Sequence, residues 1–180
     1  MNSNGTNNHL PGPSDAEGFR KGMDDNLLSA IICLSERVNN IHDCAGTPIG
    51  QIHLSSLRPR LIHHRHTEIG LDILPAYQGK GYGSEAIRWA LDYAFRRAGL
   101  HRVRIRAFEW NTGACRLYER LGFVLEGRER EACWHEGRFW DEVRFGMLEG
   151  EWRAMVEEEK KEKEGEGKGE KMDESGVPMI

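Results

Sequence analysis

The sequence predicts an α+β or mixed α/β fold, organised as one domain. Its 180 residues are enough for a single hydrophobic core of ordinary size. Apolar residues alternate with polar ones in several short segments, as in strands, and recur at helical spacing in two longer segments. The predicted elements follow in the order β-β-β-α-β-α-β-β, which is typical of a sheet with helices packed against it.

Six segments have the short apolar runs or the period-two alternation of β-strands. The first two are joined by a polar stretch of hairpin length, and the third ends at Pro75. The last two flank His135, Glu136 and Gly137, which indicate a hairpin turn. The predicted strands are residues 28–34, 48–54, 67–74, 102–108, 123–134 and 138–148.

Two segments have the spacing of amphipathic helices. In residues 84–98 the apolar side chains share one helical face, and Gly99 follows as a C-cap. Residues 111–121 form the second predicted helix, because Asn111 can cap its start and Gly122 follows its end.

The two ends of the chain differ in composition from the predicted domain, which covers residues 27–156. Residues 1–26 are polar and loop-like, so we expect disorder, with at most a short helical turn in residues 14–23. Residues 157–180 are predicted to be a disordered charged tail. No apolar signal-peptide core occurs in residues 1–23, and no apolar run approaches membrane-spanning length. These features predict a cytoplasmic, possibly nuclear protein that is not secreted and has no membrane partner.

The charges of the domain balance. Lys and Arg number 25 against 29 Asp and Glu, and the tail holds five of these lysines and nine of these acids. The remainder has 20 of each sign, which argues against bulk electrostatic adhesion to nucleic acid or anionic lipid. Arg102, Arg104 and Arg106 alternate along one predicted strand, where we expect them to face solvent or acidic neighbours. A nucleic-acid-binding module built on them is a weaker alternative.

Metal chemistry is not predicted. The cysteines at positions 33, 44, 115 and 133 have no CxxC or metal-ligand spacing, and they indicate reduced thiols. The histidines of residues 63–66 are adjacent in a loop and have no suitably spaced partner, so a solvated loop is expected there.

The segment QGKGYG, residues 78–83, lies between a predicted strand and a predicted helix. Three glycines in six residues allow backbone amides to turn toward one point, and the helix start adds free N–H groups. This arrangement suits a phosphate or pyrophosphate. The segment lacks the GK[ST] of a Walker A loop, and Ser84 occupies the last glycine position of a dinucleotide fingerprint. A plain strand-to-helix turn is the alternative.

This segment resembles the Q/R-x-x-G-x-G/A signature of the GNAT family of N-acetyltransferases. Residues 111–123, NTGACRLYERLGF, look like the second motif of the same family. The segments EGRERE and GRFWDEVRFGMLEGEW are similar to the subgroup of ribosomal-protein and diamine acetyltransferases. The resemblance implies a GNAT-like mixed, mostly antiparallel central sheet flanked by helices. It also implies acetyl-CoA as cosubstrate, no metal, and an amine as acceptor.

The resemblance also assigns roles to individual residues. Leu71, Asp72 and Ile73 would pair with the pantetheine arm of the coenzyme, as a partner strand would. Asn111 looks like a coenzyme-contacting residue of the family, and Tyr118 like its general acid. The pyrophosphate would lie on the loop and the helix start, formed by Gln78, Gly79, Lys80, Gly81, Tyr82, Gly83 and Ser84.

Acetyl transfer to an amine also needs a group that removes a proton, since an alkylammonium with a pKa near ~10 cannot attack. Glu68 is the leading candidate for this base, with an exposed strand carboxylate as the alternative. Tyr118 could instead be a core aromatic, and Asn111 a simple helix cap. Cys115 suggests a covalent acetyl-cysteine route, but direct attack in a ternary complex is expected.

The acceptor half of the predicted site is less well defined. The family usually begins with a strand and one or two helices that form a wall of the acceptor site, and residues 1–26 show no convincing counterpart. We therefore expect a truncated N-terminal part. Candidate acceptors are a protein N-terminus, a polyamine or another small amine. The alternative function is a catalytically inactive acyl-CoA-binding or regulatory protein.

Overall fold

The computed structural model describes residues 13–34 and 46–169 as one mixed sheet with helices packed against it. In chain order the main elements are α1 (Pro13–Asp24), β1 (Leu28–Leu34), β2 (Thr47–Leu54), β3 (His66–Ile73), α2 (Tyr82–Asp92), β4 (Arg102–Phe108), α3 (Thr112–Arg120), β5 (Val124–His135), β6 (Arg138–Leu148) and α4 (Glu149–Gly169). Short 3₁₀ turns lie at Pro59–His64 and Pro75–Tyr77, and a π-helical turn at Tyr93–Arg97 continues α2.

The six strands lie in the order β1-β2-β3-β4-β6-β5. Within the described ranges, four of the five strand pairs are antiparallel, and the pair of β3 and β4 is parallel. The crossover between these two parallel strands contains α2, as parallel neighbours require. The predicted mixed and mostly antiparallel sheet with flanking helices is therefore confirmed.

The hydrophobic core lies between the sheet and helices α2, α3 and α4. Ile87, Leu91 and Phe95 are fully or almost fully buried, and they pack in one cluster with buried strand residues such as Val103 and Phe145. Trp152 of α4 lies against Phe95, with ring centroids 5.2 Å apart, so α4 closes one side of this core.

Local sequence patterns predicted the central elements closely. Every predicted strand and both predicted helices lie within two residues of the observed bounds, when the π-helical turn at Tyr93–Arg97 is counted with α2. At the β5–β6 hairpin, Glu136 and Gly137 both have positive φ, as the favoured two-residue hairpin turn requires. The predicted connection between β1 and β2 includes residues 35–45, which lie outside the described residues, as does Cys44.

The structure differs from the prediction at both ends of the domain. Residues 13–24 form helix α1, where a disordered or loop-like segment was expected, and an i,i+4 ion pair joins Glu17 and Lys21 at 3.1 Å. This helix is tied to the sheet, because Ser29 Oγ donates a 2.7 Å hydrogen bond to the Met23 carbonyl. The predicted disorder was therefore wrong for this stretch, while residues 1–12 lie outside the described residues.

The charged tail from residue 157 was also expected to be disordered, and it instead continues α4 to Gly169, while residues 170–180 lie outside the described residues. Glu and Lys are good helix formers, and the buried Trp152 anchors the first turns of this helix on the core. Farther along, Glu159 forms an ion pair with Arg88 of α2 at 2.5 Å. Among the helices of the described ranges, none is long and apolar enough to cross a membrane.

Candidate active site

Strands β3 and β4 separate at the centre of the sheet. Their parallel pairing begins at His66 and Arg102 and ends at Ile69 and Ile105. Beyond this point β3 continues to Ile73, paired with β2 alone. A cavity of about 390 Å³ opens where the strands part, and the residues around it include His53, Glu68, Arg106, Asn111, Tyr118 and Glu142.

The backbone direction along β3 determines which residues present amides to this gap. Glu68 faces the β2 side, because its N–H donates to Ser55 Oγ and its carbonyl accepts from the Ser55 N–H. Backbone groups alternate in direction along a strand. Leu71 and Ile73 therefore direct their N–H and carbonyl groups toward the gap, and Asp72 directs its own toward β2. An extended chain lying in the gap would find its backbone partners at Leu71 and Ile73.

The glycine-rich loop lies directly after this open strand end. Gly79 and Gly81 have φ values of +72° and +93°, and nothing lies within 4 Å of where their Cβ atoms would be. These two positions require glycine for backbone conformation and leave open space for a ligand. Gln78 fixes the loop to the strand, since its Nε2 donates a 2.8 Å hydrogen bond to the Ile73 carbonyl.

Helix α2 starts from this loop, with Gly81 as its N-cap. Glu85 is the first residue whose N–H reaches back along the helix, to the Gly81 carbonyl at 3.1 Å. The N–H groups of Tyr82, Gly83 and Ser84 precede it and have no earlier helical carbonyl to bind. The loop and the helix start thus have the conformation of an anion cradle. This cradle follows the end of β3, the strand whose earlier residues line the cavity.

Tyr118 lies on α3 at the wall of the cavity. It is only 7% exposed, and its ring meets Phe145 edge-on with centroids 5.7 Å apart. Burial, with a smaller effect of the nearby Cys115 and Asp72, raises the pKa of the Tyr118 phenol well above its usual value. The side chain thus packs in the core, as the core-aromatic interpretation predicted, and it also borders the cavity, while its role as general acid stays a prediction.

Asn111 is the N-cap of α3, and its Oδ1 accepts a 3.1 Å hydrogen bond from the Ala114 N–H. The same residue lines the cavity. The predicted capping role is therefore confirmed, while its contact with a coenzyme stays a prediction.

Glu68 lies between the cavity and the charged face of the sheet. Its Oε1 is 2.9 Å from Arg106 Nε, and its Oε2 is 3.9 Å from the nearest nitrogen of Arg104. Arg106 also pairs with the buried Glu142 at 3.1 Å, and Arg102 pairs with Glu126. The three β4 arginines thus face acidic neighbours, as expected, and the predicted base is held by two of them.

The sequence pattern placed Arg106 on a charged strand face but not at a cavity, and it did not single out two further cavity residues, His53 and Glu142. Only the alternation along β2, which puts His53 on the polar face, gave a signal for one of them. Their convergence depends on strand register, since β2 pairs His53 with Gly70, and β4 pairs Arg106 with Arg144 beside Glu142.

The thiols of Cys115 and Cys133 show no features of an activated nucleophile. Burial is the main cause that raises the pKa of the Cys115 thiol, and the same holds for the pKa of Cys133. Among the described side chains, no cluster of three or more His, Cys, Asp or Glu residues has the arrangement of a metal site. The histidines around position 64 lie in the 3₁₀ turn and at the start of β3.

Relatives of known sequence share this region of the chain. Spermidine N(1)-acetyltransferase of Vibrio cholerae is 33% identical over 118 residues, which cover 66% of this chain and 66% of the relative. The protein of the same name from Escherichia coli is 28% identical over 112 residues, covering 62% of this chain and 59% of the relative. The chain thus spans at most 66% of the length of these two curated relatives.

Solved structures share the architecture. A crystal structure of spermidine N-acetyltransferase from Vibrio cholerae in complex with CoA and spermine matches with a TM-score of 0.67 and 26% sequence identity. The match covers 82% of this chain and 81% of that chain. The sequence model of the acetyltransferase (GNAT) family matches residues 18–123, a range that includes both the glycine-rich segment and the α3 motif. The chain belongs to the GNAT family of acetyltransferases, as the residues of the glycine loop and of α3 indicated.

Proposed function

We propose that this protein is an acetyl-CoA-dependent N-acetyltransferase that transfers the acetyl group to a primary amine by direct attack in a ternary complex. The observation that carries the proposal is the gap between β3 and β4. The open edge of β3 and the buried Tyr118 border this gap, and the glycine-rich helix start follows directly after β3 in the chain.

The residues present fit acetyl-CoA as cosubstrate. The pyrophosphate would lie on the cradle of residues 78–84, whose positive-φ glycines leave space for it. The pantetheine would extend along β3 and exchange hydrogen bonds with the backbone of Leu71 and Ile73, as an added strand would. The Vibrio cholerae enzyme solved in complex with CoA has the same fold, which supports this placement.

Tyr118 is proposed as the general acid. The leaving thiolate of CoA needs a proton or a strong hydrogen bond as the carbon–sulfur bond breaks. Because burial raises its pKa, the phenol stays protonated at neutral pH and has its proton available. The raised pKa of Cys115 keeps that thiol protonated, which supports direct attack rather than an acetyl-cysteine intermediate.

The acceptor is proposed to be a polyamine. Two curated relatives are named spermidine acetyltransferases, and the Vibrio cholerae structure is a complex with spermine as well as CoA. Glu68 and Glu142 line the cavity, and carboxylates are suitable partners for the additional ammonium groups of a polyamine. A protein N-terminus carries only the ammonium group that reacts, so its backbone has no second ammonium group for these carboxylates to bind.

The proposed function is tested by the release of CoA thiol from acetyl-CoA in the presence of spermidine. We expect Tyr118→Phe to lose about 100-fold or more in kcat, because general acid catalysis contributes roughly this factor. Its affinity for acetyl-CoA, measured by calorimetry, should change little. Tyr93→Phe is the matched control, since Tyr93 stacks on Trp89 away from the cavity and should keep the wild-type rate.

Two outcomes would contradict the proposal. If wild-type protein binds acetyl-CoA but releases no thiol with any amine, the chain is a catalytically inactive acyl-CoA-binding protein. If Tyr118→Phe keeps full activity, Tyr118 is a core aromatic without a catalytic role.

A further inference from the structure

His53 is held at the point where β3 and β4 part. It lies on β2 directly opposite Gly70 of β3. Gly70 follows Ile69, the last residue of β3 that pairs with β4. A Cβ atom at Gly70 would overlap the His53 ring, so only glycine at this position leaves room for the imidazole. The ring is partly buried and forms part of the cavity wall, together with Glu68 and Tyr118.

A short chain of polar side chains orients this ring. His53 Nδ1 lies 3.4 Å from Gln51 Oε1, and Gln51 Nε2 donates a 2.7 Å hydrogen bond to Asp72 Oδ2. The Gln51 bond to Asp72 fixes which end of the amide faces His53. An amide oxygen can only accept, so the proton of the neutral imidazole lies on Nδ1 and the lone pair on Nε2. Nε2 has no hydrogen-bond partner in the described part of the chain.

Burial, and not the surrounding charges, favours a neutral His53 ring at neutral pH. Burial lowers the pKa of His53 below 6.5, and the facing carboxylates Asp72 and Glu68 offset only part of this effect. Arg106 and Glu142 face the same cavity from β4 and β6, and they pair with each other. A neutral imidazole with an open lone pair is therefore present beside the gap.

Glu68 is engaged in ion pairs. Both of its carboxylate oxygens face arginines, at 2.9 Å from Arg106 and 3.9 Å from Arg104. Protonating this carboxylate would weaken its ion pair with Arg106, which still pairs with Glu142. His53 has no such partner to lose at Nε2.

We infer that His53 is the general base of the reaction, and that its Nε2 accepts the proton that the ammonium group of the acceptor must lose. This inference rests on the proposed acetyltransferase function. The amine lone pair then forms the carbon–nitrogen bond as the carbon–sulfur bond breaks, and the sulfur takes the proton of the Tyr118 phenol. The second proton of the amine returns to the Tyr118 oxygen, and the imidazolium releases its proton to solvent.

The pH dependence of kcat/KM tests this assignment, with acetyl-CoA and spermidine as substrates. For the wild-type protein, kcat/KM should rise with pH through an apparent pKa below 6.5 and then stay level through neutral pH. His53→Gln should lose roughly 100-fold at neutral pH. Its rate should rise about tenfold per pH unit throughout, because only the rare unprotonated amine then reacts. His66→Gln is the matched control, since His66 also lies on a strand but not at the cavity, and its profile should equal that of wild type.

The outcomes separate this inference from the proposed function. An active wild type with a His53→Gln variant of similar rate and unchanged profile would overturn the role of His53 alone. A folded wild type that binds acetyl-CoA but acetylates no amine would overturn the proposed function and, with it, this role. Acetyl-CoA titration of His53→Gln should give the wild-type affinity.

A measurement on the wild-type protein keeps the inference testable if the variant does not fold. Nitrogen chemical shifts of the His53 ring should show a protonated Nδ1 and an unprotonated Nε2 at neutral pH, with half-titration below pH 6.5. The opposite tautomer, or half-titration above this value, would contradict the assignment.

Discussion

At the scale of single residues, burial decides which groups near the cavity carry protons. The phenol of Tyr118 and the thiol of Cys115 both have raised pKa values, because burial disfavours their anions. The same effect has the opposite sign for His53, whose charged form is the cation, so its pKa is lowered. Neighbouring side chains therefore differ in proton affinity in the direction that an acid and a base require.

Glu68 offers a test of this electrostatic account. Its negative charge raises the pKa of His53, which burial lowers by more. Replacing Glu68 by Gln removes that contribution, so the pKa of His53 should fall further. The acidic limb of the kcat/KM profile should then move to lower pH, with a smaller loss of kcat than for His53→Gln.

The control for Glu68→Gln is Glu126→Gln. Glu126 pairs with Arg102 on the same charged face of the sheet but does not line the cavity. Its profile should match that of wild type. A Glu68→Gln variant that loses the acidic limb altogether would identify Glu68 as the base and contradict the role of His53.

At the scale of elements, the strand-loop-helix unit from β3 to α2 prepares the coenzyme site. The positive φ at Gly79 and Gly81 favours glycine at these loop positions, since any other residue at positive φ costs about 1–2 kcal/mol. Gly81→Val should therefore shift the loop away from the conformation that directs its amides to one point. We expect the Kd for acetyl-CoA to rise at least about tenfold, which corresponds to about 1.4 kcal/mol.

Gly137→Val is the matched control for this substitution. Gly137 also has positive φ and open space around its Cβ position, but it lies in the β5–β6 turn. It should lose stability without losing affinity for acetyl-CoA in a calorimetric titration. Equal affinities of Gly81→Val and wild type would show that the loop does not hold the coenzyme.

The sequence carried most of the information on these elements, because strand alternation and helix caps are local. Asn111 caps α3 as its sequence position predicted, and the turn glycines lie where left-handed backbone is needed. The site was less predictable, since it depends on register. That His53 lies over Gly70, and that Glu68 meets Arg106, follows from strand pairing that no local pattern encodes. Helix α1 and the length of α4 were not predicted either, because contacts with other elements of the fold stabilise these polar segments. Examples are the Ser29 hydrogen bond to Met23 and the Glu159 ion pair with Arg88.

At the scale of the whole molecule, α4 completes the core. Trp152 is 4% exposed, its ring lies against Phe95, and the Arg96 guanidinium lies 5.1 Å from its ring centroid. Trp152→Ala should lower the free energy of unfolding by about 3–5 kcal/mol, since it empties a large buried site. Trp134→Ala at the β5–β6 hairpin is the control, because Trp134 is 48% exposed and should cost much less. Urea denaturation measures both, and equal losses would contradict the packing of α4 on the core.

Transfer of an acetyl group from acetyl-CoA to an amine at the β3–β4 gap is the central proposal for the whole molecule. The most direct measurement is mass spectrometry of the products after incubation of the purified chain with acetyl-CoA and spermidine. We predict acetylated spermidine and free CoA in equal amounts, with neither formed when protein is omitted. A folded chain that binds acetyl-CoA but forms no acetylated amine, from spermidine or from a peptide N-terminus, would contradict it.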